Sequence, residues 1–113
     1  MENKSELVIT DLVVGDGIAA DKGALITYNY TGTLEDGSKF DSSYDHGRPL
    51  EIVLSSKKLI QGFYLGMLGM KVGGKRRLFV PAALGYGEQV KPRIPANSNL
   101  IFEIELLEVR LRE

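Results

Sequence analysis

Ala24-Leu25-Ile26-Thr27-Tyr28-Asn29-Tyr30, then Leu34-Glu35-Asp36-Gly37, then Ser38-Lys39-Phe40-Asp41-Ser42-Ser43 is the stretch that decides the fold. Ala24, Ile26, Tyr28 and Tyr30 share one face of the first run, with Thr27 and Asn29 on the other. A period of two with one apolar, aromatic face is the pattern of a half-buried strand. Asp36-Gly37 supplies the φ > 0 positions of a tight hairpin turn. Ser38 to Ser43 therefore reads as the return strand.

The same pattern extends outward in both directions. Leu7 to Val14 is rich in β-branched residues and reads as a strand that Gly15-Asp16-Gly17 breaks. Asp45-His46-Gly47-Arg48-Pro49 interrupts the sheet pattern, and a proline there marks a bulge or an edge crossing. Glu51 to Leu54 resumes as strand. Ser55 and Ser56 are candidate caps for a helix in which Ile60, Phe63, Met67 and Met70 recur at helical spacing, beside Leu59. Gly62, Gly66 and Gly69 lower helix propensity, so the helix is short, held by packing and able to approach a sheet closely. After a Val72-Gly73-Gly74 turn, Lys75 to Pro81 reads as strand, with Leu78 and Val80 opposed to Arg77 and Phe79. Residues 82–99 form a loop longer than compact domains usually carry, which marks it as functional. Leu100 to Val109 is the last strand, with Leu100, Phe102, Ile104 and Leu106 facing one way. The expected fold class is α+β: an antiparallel sheet of five to six strands wrapped around one short helix.

The 113 residues fit one domain, expected over 7–113 behind a flexible tail at 1–6. A net charge of −1 gives no electrostatic footprint for nucleic acid or for an anionic membrane. No apolar run approaches the roughly 18 residues of a membrane span, and the polar start is not a signal peptide, so the expected location is the cytoplasm. With no cysteine and a single histidine, His46, neither a disulfide framework nor a zinc site is expected. Nothing signals an oligomer, and a monomer is the default.

Several motifs dissolve on inspection. Gly69-Met70-Lys71-Val72-Gly73-Gly74-Lys75 follows a phosphate-binding loop up to its last position, where Arg76 replaces the Ser or Thr that holds magnesium. Its context is also inverted, with helix before and strand after. The basic residues from Lys71 to Arg77 then read as the flanks of a solvated turn. Asp41, Ser42 and His46 are sequence neighbours with no nucleophile elbow, which is not how a hydrolase triad is built. Tyr30, Phe40, Phe63, Tyr86 and Phe102 remain, five aromatics on separate elements, with Asp41 beside Phe40. They are either simple core or the walls of an apolar pocket with convergent polar groups. The tyrosine hydroxyls and the carboxylate, which need partners when buried, favour the pocket.

These strings also carry a family resemblance. Tyr30-Thr31-Gly32, Leu34-Glu35-Asp36-Gly37, Lys39-Phe40-Asp41-Ser42-Ser43, Ile60-Gln61-Gly62-Phe63, Met70-Lys71-Val72-Gly73, Leu84-Gly85-Tyr86-Gly87 and Ile94-Pro95, ahead of Leu100-Ile101-Phe102-Glu103-Ile104, stand in the order of the FKBP-type peptidyl-prolyl isomerases. The chain resembles that family from about Leu7 to Val109. The resemblance implies a strongly twisted sheet around a short helix, with an apolar pocket between them. It implies cis/trans isomerisation of X-Pro bonds in proline-containing peptides and protein clients, with no cofactor, and binding of the macrolides rapamycin and tacrolimus. It assigns catalysis to Asp41, Tyr86, Phe40 and Phe63, with Phe63 as the pocket floor and the Tyr86 hydroxyl donating to a substrate carbonyl. It assigns substrate and macrolide binding to Tyr30, Leu50, Leu59, Ile60, Ile94, Phe102 and His46, with the Ile60 N–H meeting a ligand carbonyl. Phe63 replaces the family's usual tryptophan, which should weaken macrolide binding more than turnover. Leu50 stands where an aromatic is common, Lys58 at a rim position that is often acidic and meets the macrolide, and His46 where an arginine often pairs with the carboxylate, so the partner of Asp41 is open. The short loop between Tyr86 and Ile94 leaves no room for an inserted chaperone domain. A different reading on the same fold is a peptide-binding or chaperone module with weak turnover.

Overall fold

The computed structural model describes residues 6–111, so the expected tail at 1–6 lies, apart from Glu6, outside the described residues. Six strands and one α-helix follow in the order β1 (Val8–Val13), β2 (Leu25–Leu34), β3 (Lys39–Ser42), β4 (Leu50–Val53), α1 (Gln61–Met67), β5 (Lys75–Val80) and β6 (Leu100–Arg110). All pairings are antiparallel, and the sheet order is β1-β5-β6-β2-β3, with β4 also on β2. β4 pairs with Leu25–Tyr28 and β3 with Thr31–Thr33, so the two short strands lie end to end along one edge of β2. A 3-10 turn at Ser43–His46, followed by Gly47, Arg48 and Pro49, carries the chain between them. That crossing is why the strand pattern breaks at this proline, which cannot donate to a central ladder.

The alternation in β2 and β6 is expressed directly. Ala24, Ile26 and Tyr28 are buried on one side, as are Leu100, Phe102, Ile104 and Leu106. With Leu78 and Val80 of β5 they form the concave face, and α1 lays Phe63 and Met67 against it. The helix sits unusually close. A Cβ at Gly62 would lie 2.4 Å from a Val80 methyl, and one at Gly66 would lie 2.4 Å from a Leu78 methyl. The two glycines thus contribute contact distance where they sacrifice helix propensity.

The serines do not cap the helix. The Ser55 hydroxyl accepts from the Lys57 N–H at 3.1 Å and the Ser55 carbonyl from the Lys58 N–H at 3.2 Å, closing a separate turn. The helix starts at Gln61 with Ile60 as its cap, and no side chain satisfies the first N–H groups. Met70 packs in the core beyond the helix end. The cap signal was local and the turn satisfied it first. Arg76 also departs from a solvated turn flank. Its side chain is 14% exposed, and the guanidinium donates to the carbonyls of Gly66 at 2.9 Å and Leu68 at 3.1 Å and meets Asp11 at 2.7 Å. One side chain therefore closes the C-terminal end of α1 and ties it to β1 and β5.

Candidate active site

Between the concave face, α1 and the long loop lies a cavity of about 430 Å³. β2 contributes Tyr28 and Tyr30, two positions apart and so on the same face. β3 contributes Phe40 and Asp41, adjacent residues that a regular strand would send to opposite faces. A bulge resolves this. Gly32 pairs with Asp41 and Thr33 with Lys39, so Phe40 has no partner on β2 and is re-aimed into the cavity. Gly32 leaves it room, since a Cβ there would lie 2.5 Å from the Phe40 ring and 3.1 Å from that of Phe102.

The aromatic walls pack edge to face. Phe63 meets Phe102 at 5.0 Å between centroids and 87° between planes, and Phe40 meets Phe102 at 5.7 Å and 88°. Tyr30 lies edge-on to Phe63 at 6.0 Å. Such pairs contribute about 0.5–1.5 kcal/mol each beyond burial, enough to fix the rings against one another. Leu59 and Ile60 form the wall before α1, and Tyr86, Lys91, Pro92 and Ile94 close the other side. The long loop is not structureless: it opens with a 3-10 turn at Ala82–Leu84, and Lys91 and Ile94 form an isolated bridge.

Asp41 is the one carboxylate in the cavity wall. The Tyr30 hydroxyl donates to its Oδ2, and the Ser42 N–H donates to Oδ1 at 2.9 Å. His46 Nε2 lies 3.2 Å from the same Oδ1. Burial pushes the Asp41 pKa up, but the hydrogen bonds from Tyr30, His46 and Ser42 outweigh it and hold the pKa below the ordinary carboxylate value. Asp41 is thus ionised, and both of its oxygens accept hydrogen bonds. Burial, and then the charge of Asp41, push the Tyr28 hydroxyl up to about 12 and raise that of Tyr86. Tyr30 is raised too, by burial and by its hydrogen bond to Asp41. All three hydroxyls are therefore donors at neutral pH. The Tyr86 hydroxyl and the Ile60 N–H are donors with no partner among the described residues, and the Ile60 carbonyl accepts from Phe63 and Tyr64.

Of the residues singled out in the sequence, the cavity gathers Tyr30, Phe40, Asp41, Leu59, Ile60, Phe63, Tyr86, Ile94 and Phe102. Leu50 is not a wall: it pairs with Tyr28 through the backbone and packs half-buried against the core. His46 is also outside the lining and touches the site only through Asp41, which supplies the missing partner of that carboxylate. Lys58 also lines the cavity, and Tyr28, Lys91 and Pro92 are additions. Tyr28 was visible in the period of β2, whereas the other two depend on how the loop folds back.

The sequence model of FKBP-type peptidyl-prolyl cis-trans isomerases matches residues 17–107. The chain belongs to the FKBP-type peptidyl-prolyl cis-trans isomerase family. An FK506-binding protein of Neisseria meningitidis serogroup A is 50% identical over 104 residues, covering 91% of this chain and 95% of the relative. The crystal structure of FkpA from Escherichia coli superposes with a TM-score of 0.86 at 39% identity, covering 97% of this chain and 51% of FkpA, so the chain spans about half of that longer protein. A peptidyl-prolyl cis-trans isomerase from Pseudomonas syringae gives 0.82 at 31% identity, over 93% of this chain and 76% of the other. The fold is thus that of the FKBP isomerases, an open six-stranded sheet around one helix, and the chain is an enzyme of that class.

Proposed function

We propose that the cavity accelerates rotation about X-Pro bonds by desolvation and fixed hydrogen bonding, without covalent chemistry. The observation that carries this is the pairing of an aromatic cavity of about 430 Å³ with uncommitted donors at Tyr86 and Ile60 and a carboxylate that already accepts from Tyr30 and Ser42. An X-Pro bond isomerises over tens to hundreds of seconds, against a barrier of ~18–20 kcal/mol that arises from amide resonance. Water bound to the amide oxygen favours the planar, charge-separated form. Seating the proline ring among Phe63, Phe102, Phe40 and Tyr30 strips that water and disfavours the planar state selectively. The Tyr86 hydroxyl and the Ile60 N–H hold substrate carbonyls, which fixes the chain on either side of the rotating bond. Asp41 is ionised and donates no proton. It acts as a fixed charge that orients Tyr30 beside the bond. A rate gain of ~10⁴ corresponds to about 5.5 kcal/mol, within reach of such contacts if they strengthen in the twisted state.

Macrolide binding belongs to the same proposal. The cavity would take rapamycin or tacrolimus where it takes proline, and Phe63 offers a smaller floor than an indole. The test is exchange spectroscopy on a Leu-Pro peptide with the native chain, Tyr86→Phe and Asp41→Val. Removing one donor from a pre-formed site is worth about 1–1.5 kcal/mol, so Tyr86→Phe should lose roughly tenfold in kcat/KM with unchanged unfolding. Full activity in both variants would place the reaction elsewhere.

A further inference from the structure

The cavity that the aromatic residues define has a cationic rim. Lys58 lines it from the turn before α1 and Lys91 from the loop after Tyr86. Both are exposed, and neither has an ion-pair partner among the described residues. The two segments concerned, 55–60 and 85–99, hold Lys57, Lys58, Lys91 and Arg93 against the single acid Glu88, a net +3 in a chain whose net charge is −1. Asp41 is ionised and is the one anion of the lining, so against the two lysines the lining keeps a net charge of +1, and the Asp41 oxygens already accept from Tyr30 and Ser42.

The rim is also held in place. Lys91 exchanges two backbone hydrogen bonds with Ile94, at 3.0 and 2.9 Å, and its Nζ stands 5.5 Å from the centre of the Tyr86 ring. Pro92 and Arg93 make the tight turn between them, with Arg93 at φ 66°, a left-handed conformation that glycine or asparagine adopts far more readily. A flexible stem is thereby anchored at its base, which lowers the entropy lost when the ammonium meets a partner.

We propose that Lys58 and Lys91 form a subsite for acidic side chains, so that the chain favours X-Pro segments carrying Asp or Glu close to the proline. At ~3.3–3.6 Å per residue of extended chain, a carboxylate within about two residues of the bond reaches the rim while the proline is seated. The inference rests on the cavity being the isomerisation site. The focusing of an unpaired cationic rim on an apolar cleft would raise encounter as well as binding, and both effects are screened by salt.

The test uses the full chain and a hexapeptide series built on Leu-Pro. A single Glu is placed in turn at each of the two positions before Leu and after Pro, with Gln at the same place as control. Two exposed ammonium–carboxylate pairings of ordinary strength give about a 3- to 10-fold higher kcat/KM for the best Glu peptide over its Gln partner at low ionic strength. Above ~0.5 M salt, where the Debye length is under about 5 Å, that ratio should fall towards one. The combined Lys58→Gln and Lys91→Gln variant should lose the ratio at low salt as well. Equal turnover of Glu and Gln peptides would overturn the subsite and leave the isomerase intact. A Glu preference that survives in the lysine variant would overturn the assignment to these residues. No acceleration of any peptide, neutral or acidic, would instead overturn the proposed function on which the inference stands.

Discussion

Replacing Gly32 with Ala tests how the walls of the cavity are built. The backbone at Gly32 is ordinary strand, so the effect is steric alone. The added methyl would lie 2.5 Å from Cζ and 2.7 Å from Cε1 of Phe40, and 3.1 Å from Cε1 of Phe102. Carbon atoms rest at about 3.5–4.0 Å, so the Phe40 ring must retreat by roughly 1 Å. It has little freedom to do so, because it packs edge-on to Phe102, which packs edge-on to Phe63. Overpacking of this kind costs about 1–3 kcal/mol, and the loss of one edge-to-face pair accounts for about 0.5–1.5 kcal/mol of it. A 1 Å displacement of a wall that touches the reacting group lowers kcat/KM by roughly 10- to 100-fold. Urea unfolding and peptide exchange report the two effects separately. A double-mutant cycle isolates the cause: in a Phe40→Leu background, Gly32→Ala should cost clearly less, because the ring it strikes hardest is gone and only the 3.1 Å approach to Phe102 remains. A Gly32→Ala variant as stable and as active as the parent chain would refute the reasoning, as would an equal penalty in both backgrounds.

Arg76→Ala should destabilise the chain by about 2–3 kcal/mol, since it leaves the Gly66 and Leu68 carbonyls without their charged donor, and Arg76→Lys should restore only part of this; urea unfolding gives both values. The Asp41 carboxyl is held below its ordinary pKa by the native hydrogen bonds, so its contribution to stability is fully present above that ordinary value, about 3.9, and is lost as pH falls through the depressed folded value. Thermal unfolding from pH 6 downward should therefore show a loss below about pH 4 that is shallower in Asp41→Asn. At the alkaline end the raised tyrosine hydroxyls stay protonated, so turnover of a neutral peptide should not fall through tyrosine ionisation below about pH 10, which a pH–rate profile checks.

The sheet was legible in the sequence because its signals are local. Alternation in β2 and β6 names the buried face directly, and Asp36-Gly37 names the hairpin turn. The helix was legible in type but not in its start, because Ser55 found partners in the turn at Lys57 and Lys58 before the helix began. Arg76 was hidden for the opposite reason: its partners, Asp11 and the end of α1, are remote in sequence or on another element, and a charge beside a Gly-Gly turn looks solvated until the helix is laid over it. The same limit applies at the site. Phe40 and Asp41 enter the cavity together only because of the bulge opposite Gly32, and a bulge is a property of two paired strands. Leu50 sits on a strand that alternates correctly, yet the crossing at Pro49 places it beside the core and not on the cavity wall. Lys91 and Pro92 belong to a loop whose return to the cavity is a tertiary fact.

The most direct measurement is the cis/trans exchange rate of a Leu-Pro peptide in the presence of the native chain, with rapamycin titrated in. The expected result is acceleration that falls to the uncatalysed rate as rapamycin saturates, accompanied by NMR shift changes at Phe63, Tyr86 and Ile60. Acceleration that persists at saturating, bound rapamycin would contradict the central claim that the aromatic cavity and the reaction site are one.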